Sequence, residues 1–242
     1  MFRHKGSYRT KIQNLRLASF LSFVAGAVNV IGFYLFGIMT THVTGNVVHL
    51  TTSFLDGFTS IAMSFMLFLA SFLVGSFLAN FFLELGGRKR VRYRYVLPVF
   101  TEVFLLILVL VSSWNLIFIN ENIQVALLFM TMGIQNALVT WISNSVVRTT
   151  HLTGMFTDLG IELSQLIFYR KKEERMALKS SIQLRLFIIL FFFLGCFIGG
   201  ILYYKWNYTS LILPIITLLI ALWYSDFRYL YLYTKRKIRR LD

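Results

Sequence analysis

Two copies of one polar segment carry the residue types best suited to chemistry in this chain. TTHVTG occupies positions 40–45 and TTHLTG occupies positions 149–154, at an offset of 109 residues. Each copy combines hydroxyls, an imidazole that titrates near neutral pH and a glycine that lets a ligand approach the backbone. Similarity extends upstream to GAVN and GIQN, which end at Asn29 and Asn136, and downstream to 71–82 and 191–202. This duplication within apolar surroundings predicts a functional site.

Polar residues continue after both segments at spacings of three and four, which places them on one face of a helix. The first stripe contains His42, Gly45 or Asn46, His49, Ser53 and Asp56, and the second contains His151, Gly154, Asp158, Glu162 and Gln165. Apolar residues cover much of the remaining helix surface. We expect the two stripes to face each other across a hydrated cavity.

A helix N-terminus at each segment would determine the chemistry of this cavity. Unpaired backbone N–H groups and the partial positive charge of a helix start attract an anion or a carbonyl oxygen, and the threonine hydroxyls are suited to capping the helix. Nearby amides and carboxyl groups add selectivity. The candidate solute-binding residues are Asn29, Thr41, His42, Thr44, Gly45, Asn46, His49, Asn136, Thr150, His151, Thr153, Gly154, Asp158 and Glu162.

The same residues also have structural interpretations. Threonine and glycine permit close helix packing in membranes, and the amides of Asn29 and Asn136 could join helices by hydrogen bonds. Asp158 could pair with His49 across the axis that relates the halves. Proton coupling is equally feasible, because histidine and buried carboxyl groups can exchange protons near neutral pH. Glu102 lies close to the start of an apolar run, which favours a structural or interfacial role.

The composition indicates that lipid is the solvent. Hydrophobic residues make up 57 % of the 242 residues, charged residues only 14 %, and phenylalanine occurs 25 times. These values argue against a soluble fold. Cys196 is the single cysteine, so neither a disulfide nor a cysteine-based metal site is available. Six apolar runs could cross roughly 30 Å of hydrocarbon, and they are 17–39, 61–85, 97–119, 122–143, 181–203 and 208–230.

Positive charge is concentrated beside these runs. The formal net charge is +14, and most of the 24 lysine and arginine residues fall in four groups at 3–15, 88–94, 170–179 and 235–240. Such groups are typical of cytoplasmic loops, where they meet anionic lipid headgroups. This distribution argues against nucleic-acid binding and predicts that both chain ends lie in the cytoplasm.

The charge pattern and the run lengths together predict an inverted repeat. If every basic group is cytoplasmic, the short apolar segments at 44–55 and 153–168 must enter and leave on one side, as re-entrant or discontinuous helices. Each half then has three spanning helices and one short helix, and three crossings give the halves opposite orientations. We therefore predict a single all-α polytopic membrane domain with repeats at 17–119 and 122–232. An eight-crossing arrangement, which would place 88–94 outside, is the alternative.

The chain also contains the motifs HVTGN at 42–46, GIQNA at 133–137 and HLTG at 151–154. In this combination it resembles the YoaK family, a domain of unknown function, over nearly its whole length. The resemblance implies a small multi-pass protein of the bacterial cytoplasmic (inner) membrane, with no assigned substrate or activity. Met155 stands where the first copy has Asn46, so the two half-sites are expected to differ chemically.

A transporter of a small polar or anionic solute is the function that this pattern favours. The solute would bind at the midplane between the two half-helix N-termini, and the halves would rock to alternate access. The expected partners are the lipid bilayer, the solute and protons, and an oligomer is compatible; no cofactor or metal is expected. A channel, an intramembrane metal-dependent enzyme and a non-catalytic assembly factor are the alternatives. Enzymatic activity is not expected, because H-E-x-x-H and G-x-S-x-G motifs are missing from the sequence.

Overall fold

The computed structural model describes residue 2 and residues 9–88, 94–112, 114 and 116–224; in these residues the regular structure is helical and no β-strand occurs. The predicted all-α fold is confirmed. Parts of the basic groups at 3–15 and 88–94, and all of 235–240, lie outside the described residues. The helices are α1 Lys11–Phe36, α2 Val43–Leu55, α3 Thr59–Arg88, α4 Val96–Ser112, α5 Glu121–Ser143, α6 Leu152–Phe168, α7 Lys172–Trp206 and, after a 3-10 turn at Asn207–Leu211, α8 at 212–224.

The apolar length of the helices confirms that the chain is a membrane protein with several spans. Lys11–Phe36, Thr59–Gly86, Glu121–Ser143 and the stretch Lys172–Tyr224 are long and apolar enough to cross a bilayer. α4 is apolar but shorter, at about 25 Å for 1.5 Å per residue. The predicted span at 97–119 is therefore too long, because a polar sequence of two serines and an asparagine around Trp114 follows the apolar run.

Two local signals set the ends of α1, which begins before the predicted run at 17–39 and ends before it does. Thr10 and Gln13 form a capping box, in which each side chain accepts a hydrogen bond from the backbone N–H of the other, so the helix already begins at Lys11. At the other end, Gly37 adopts a left-handed conformation with a φ of 71° and donates its N–H to the oxygen of Phe33. The chain then turns back into the bundle.

The apolar stretch after α6 reverses direction at Asn207. This residue has a positive φ of 53°, which asparagine tolerates better than most residues. Before the turn, Tyr203 stacks on Tyr34 near the end of α1, with ring centroids 5.0 Å apart. After it, Tyr224 lies beneath the guanidinium of Arg16 near the start of α1. α8 therefore runs back along the bundle, so α7 and α8 are separate helices with opposite directions.

Close glycine contacts join α1 to α7. A Cβ atom on Gly26 would overlap the carbonyl oxygen of Phe192, and a Cβ atom on Gly195 would overlap the carbonyl oxygen of Phe23. The Sγ atom of Cys196 donates a hydrogen bond of 3.2 Å to the oxygen of Gly26. Together with the tyrosine pair at the helix ends, these contacts make α1 and α7 parallel and bring their backbones into direct contact.

The crossing of α3 and α5 repeats this construction. A Cβ atom on Gly133 would overlap the carbonyl oxygen of Phe72, and one on Gly75 would overlap the carbonyl oxygen of Met130. The Oγ atom of Ser76 donates a hydrogen bond of 3.1 Å to the oxygen of Gly133. At the offsets read from the sequence, these residues are the counterparts of those in the first crossing. Corresponding residues of the two halves therefore build two equivalent helix pairs.

The first helices of the two halves run in opposite directions. The side-chain amide of Gln135 in α5 donates to the oxygen of Leu21, in the first part of α1. A Cβ atom on Gly32, near the end of α1, would lie 3.4 Å from Leu128, which precedes Gln135 in α5. The first part of α1 thus contacts a later part of α5 than the end of α1 does, so the two helices are antiparallel.

α2 and α6 are short helices that enter the bundle from opposite ends. α2 has 13 residues and packs on α3, and α6 has 17 residues and packs on α7. α2 follows the end of α1, and Phe36 of α1 packs against Phe68 near the start of α3 at that same end. α6 runs antiparallel to α7, toward the end of the bundle where α1 starts. α2 and α6 are thus too short to cross roughly 30 Å of hydrocarbon as straight helices, at about 20 and 26 Å for 1.5 Å per residue.

Candidate functional site

The starts of α2 and α6 have the same backbone construction. His42 and His151 are the N-cap residues, with φ and ψ of −98° and 67° and of −97° and 59°, and neither side chain makes a capping hydrogen bond. The sequence-based assignment of threonine hydroxyls as caps is wrong. Thr41 donates from Oγ1 to Asn29 at 2.9 Å, and Thr150 donates to Asn136 at 3.1 Å. The threonines therefore tie each returning loop to the first helix of its own half.

The two helix starts lie at different depths along α1. Thr41 is bonded to Asn29, whereas Thr149 accepts a hydrogen bond of 3.4 Å from Gln135, which also donates to the oxygen of Leu21 at 2.8 Å. Leu21 and Asn29 are eight positions apart, or about 12 Å along a helix. The prediction that both starts meet at one midplane point is therefore wrong, because each loop reaches back only to the asparagine of its own half.

The polar stripes of α2 and α6 do not face each other either. Each helix packs against the long helix that follows it in its own half. Asn46 is buried at the start of α2 and donates to the backbone oxygens of His42, at 2.7 Å, and Met39, at 3.4 Å. Thr44 and Thr153 are exposed in the first turns. These side chains hold or flank the helix starts, and the shared cavity expected from the sequence is not formed by them.

The helix starts differ in how open they are. At Gly45, a Cβ atom would overlap the imidazole of His42, so this ring lies against the first turn of α2. At Gly154, nothing lies within 4 Å of the corresponding position, and both His151 and Gly154 are exposed. The first turn of α6 is therefore accessible, whereas the first turn of α2 is covered by the imidazole of His42.

Arg185 of α7 binds both carboxylates of α6. Its Nε and Nη2 atoms donate to the two oxygens of Glu162 at 2.9 Å each, and its Nη1 atom donates to Asp158 at 2.8 Å. Ser181 donates to Glu162 at 2.6 Å. The side chains of Arg185 and Glu162 are 19 % and 12 % exposed, and that of Asp158 is 45 % exposed. Asp158 thus pairs with Arg185 and not with His49.

Arg185 is not among the site residues predicted from the sequence, although it lies inside the predicted span at 181–203. A usable signal was present: a single arginine stands in the otherwise uncharged run SIQLRLF, while the preceding short helix carries two carboxyl groups four residues apart. A charge inside an apolar span requires a partner. The arginine in the span and the two carboxyl groups of the short helix are therefore natural partners for one another.

The corresponding place in the first half is uncharged. At the offsets that relate the halves, Phe65 stands for Arg185 and His49 stands for Asp158. His49 stacks on Phe65, with ring centroids 5.2 Å apart and an interplanar angle of 14°. Ser53 stands for Glu162. The ion-pair cluster therefore belongs to the second half alone, which agrees with the expectation that the half-sites differ.

A polar cavity of about 300 Å³ opens beside this cluster. The apolar residues that line it are Val146, Met155 and Leu184. The polar residues that line it are Ser145, Arg148, Asp158, Ser181 and Arg185. Arg148 is exposed and makes no hydrogen bond or ion pair with another described residue. Of the predicted site residues, only Asp158 lines the cavity. Glu162 does not line it, but its two hydrogen bonds with Arg185 orient the guanidinium. Within the described residues, no three histidine, cysteine or carboxylate side chains are grouped to hold a metal ion.

Comparison with known proteins agrees with this architecture. A family described as "Protein of unknown function (DUF1275)" matches residues 17–224. The UPF0700 transmembrane protein YoaK of Bacillus subtilis (strain 168) is 26 % identical over 176 residues, which cover 72 % of this chain and 78 % of the relative. No solved structure matches. These findings confirm the resemblance drawn from the three sequence motifs.

Proposed function

We propose that this chain, which belongs to the DUF1275 family of membrane proteins of unknown function, transports a small anionic solute across the bacterial inner membrane. The solute would bind in the polar cavity beside α6, between Arg148 and the cluster around Arg185. The halves would be inverted repeats that alternate access to it. The observation that carries the proposal is this polar cavity in a membrane protein, which is lined by Arg148, an arginine with no partner among the described residues, and by Met155 and Asp158 of α6.

Two features support inverted halves. The antiparallel course of α1 and α5 is what inversion requires, and the equivalent α1–α7 and α3–α5 crossings match a pseudo-twofold axis. The starts of α1 and α7 and the ends of α3 and α8 lie at one end of the bundle. In the sequence, the basic groups at 3–15, 88–94 and 170–179 adjoin the starts of α1 and α7 and the end of α3, so the positive-inside rule supports a cytoplasmic location for this end.

The chemistry of the cavity supports an anionic solute. Arg185 already donates hydrogen bonds to Asp158 and Glu162, so these two carboxylates have a cationic partner within the protein. Arg148 retains a guanidinium fork that suits a carboxylate or an oxyanion. Met155, which lines the cavity, directly follows the first turn of α6, so the positive end of the helix dipole lies near the cavity. A volume of about 300 Å³ is at the lower end for small-molecule sites, so the solute is small.

We expect Arg148→Gln to reduce solute uptake about tenfold, because one charge-assisted hydrogen bond is worth about 1.5 kcal/mol or more. Proteoliposomes preloaded with unlabelled phosphate, sulfate, acetate or lactate would be tested for counterflow uptake of the same labelled anion. Arg170→Gln is the matched control, because Arg170 is exposed near the same end of the bundle and does not line the cavity.

The proposal fails if no anion accumulates above protein-free liposomes, or if Arg148→Gln and Arg170→Gln have equal effects. Uptake without counterflow, combined with a steady current under voltage, would identify a channel of the same architecture in place of a carrier.

A further inference from the structure

Glu102 is an isolated acidic side chain in the interior of α4. It is fully buried, and neither of its carboxyl oxygens has a hydrogen-bond partner. It is also the only ionisable residue between Val96 and Ser112. The structural or interfacial role expected from the sequence would give this carboxyl group a partner or contact with water. Neither is present, so its position needs another explanation.

The elements packed against α4 provide no cation within the described side chains. α4 contacts α5, α3 and the 3-10 turn. α5 contributes Glu121, which lies at the far end of the bundle beside the polar pocket at Ser112. α3 contributes Glu84, which accepts a hydrogen bond from Trp141. The turn contributes Tyr208. The remaining ionisable group is Arg88, the last residue of α3, whose side chain lies outside the described part.

The other helices of the same core bring no partner either. α1 carries Lys11, Arg16 and Tyr34, and α8 carries Tyr224; Arg16 lies over the ring of Tyr224, and Tyr34 stacks on Tyr203. None of these four groups on α1 and α8 forms a hydrogen bond or an ion pair with Glu102 in the described residues. An ionised carboxylate at this position would therefore be both dehydrated and without a counter-ion, which is costly in a membrane.

The corresponding position in the second half shows that packing does not require a carboxyl group. Pro98 and Pro214 open α4 and the apolar run of α8 and align the two helices. At this offset, Glu102 corresponds to Leu218, and both residues are 0 % exposed. Leucine and neutral glutamic acid have similar lengths, so an apolar residue can fill the same kind of site. The carboxyl group of Glu102 is thus not required to fill this buried position.

We propose that Glu102 is a proton-binding site in the membrane interior, occupied in this structure, so that the side chain is a neutral carboxylic acid. Release of the proton to water would leave the carboxylate, and uptake would restore the acid; no other bond changes. This site is separate from the cavity beside α6. It would supply the coupling proton if the chain is a carrier, but its proton occupancy does not depend on transport.

Dicyclohexylcarbodiimide is the appropriate probe, because it partitions into the bilayer and reacts with protonated carboxyl groups. A carboxyl oxygen bonds to the carbodiimide carbon, and the acid proton moves to a carbodiimide nitrogen. The full chain in native membranes at pH 7 is expected to be modified at Glu102, as read by mass spectrometry. Glu102→Gln should remove this adduct, whereas Glu84→Gln should leave it unchanged. Above the midpoint of titration, labelling should fall about tenfold for each pH unit.

Two further readouts keep the test independent of reagent access. Glu102→Gln should keep the thermal unfolding midpoint of the parent, because the amide matches a neutral acid in shape. The infrared carbonyl band of a protonated carboxyl group, present at pH 7, should be missing in this variant. The proposal is overturned if that band is the same in both proteins, or if Glu102→Gln lowers the midpoint as expected for the loss of a paired carboxylate. Normal labelling of Glu102 without any anion transport would retain this site and reject only the proposed carrier function.

Discussion

Gly26→Ala is expected to lower the apparent Tm of the purified protein by about 9 °C. The added Cβ atom would overlap the backbone oxygen of Phe192, which a side-chain movement cannot relieve, so α1 and α7 must separate. Overpacking of this kind costs about 3 kcal/mol, and a chain of this size loses about 3 °C per kcal/mol. Thermal unfolding in detergent, followed by tryptophan fluorescence, would measure the shift.

The equivalent crossing provides an internal replicate of this experiment. Gly133→Ala should have a similar effect, because its Cβ atom would overlap the backbone oxygen of Phe72. Gly160→Ala in α6 is the control: nothing lies within 4 Å of that position, and alanine is the better helix former by about 1 kcal/mol. Equal Tm values for Gly26→Ala and Gly160→Ala would contradict the assigned helix contact.

Arg185→Gln is expected to lower the apparent Tm by about 9 °C and to detach α6 from α7. The substitution removes both bonds to Glu162 and leaves its largely buried carboxylate without a counter-ion. Breaking such a pair from one side costs about 3 kcal/mol. Limited proteolysis near Tyr169, the C-cap residue of α6, would detect the release of the helix.

A double variant separates the lost charge from lost packing. Glu162→Gln combined with Arg185→Gln should recover about half of the Tm decrease, because no unpaired charge then remains beside α7. Asp158→Asn alone should have a smaller effect, since the Asp158 side chain is 45 % exposed and well hydrated. If the double variant is less stable than Arg185→Gln, the unpaired carboxylate is not the source of the destabilisation.

Periodicity and duplication were sufficient to predict which segments form helices, although α1 begins before its predicted run and α4 ends before the predicted limit at 119. Apolar runs and the four basic groups placed the long helices, and the repeated segment located both short helices to within a few residues. The repeat also identified Asn29, Thr41, Asn136 and Thr150 as equivalent polar residues, but it did not predict that each asparagine accepts a hydrogen bond from the threonine of its own half and so anchors a loop. Such features are local in sequence or repeated, so a single chain is enough to reveal them.

Contacts between distant helices could not be derived in the same way. The partner of Asp158 depends on the register of α6 against α7, which no spacing within either helix determines. The depth of each helix start likewise depends on how far a loop of a few residues returns along the first helix. Sequence symmetry suggested one shared midplane site, but the loops end at Asn29 and Asn136, on two sides of the α1–α5 crossing.

The orientation of the two short helices tests the inverted arrangement most directly. In a Cys196→Ser background, single cysteines would replace Asp56, at the end of α2, and Tyr169, at the end of α6. A membrane-impermeant maleimide should label position 56 in intact cells, and it should label position 169 only in inside-out vesicles. Labelling of both positions from the same side of the membrane would contradict the account.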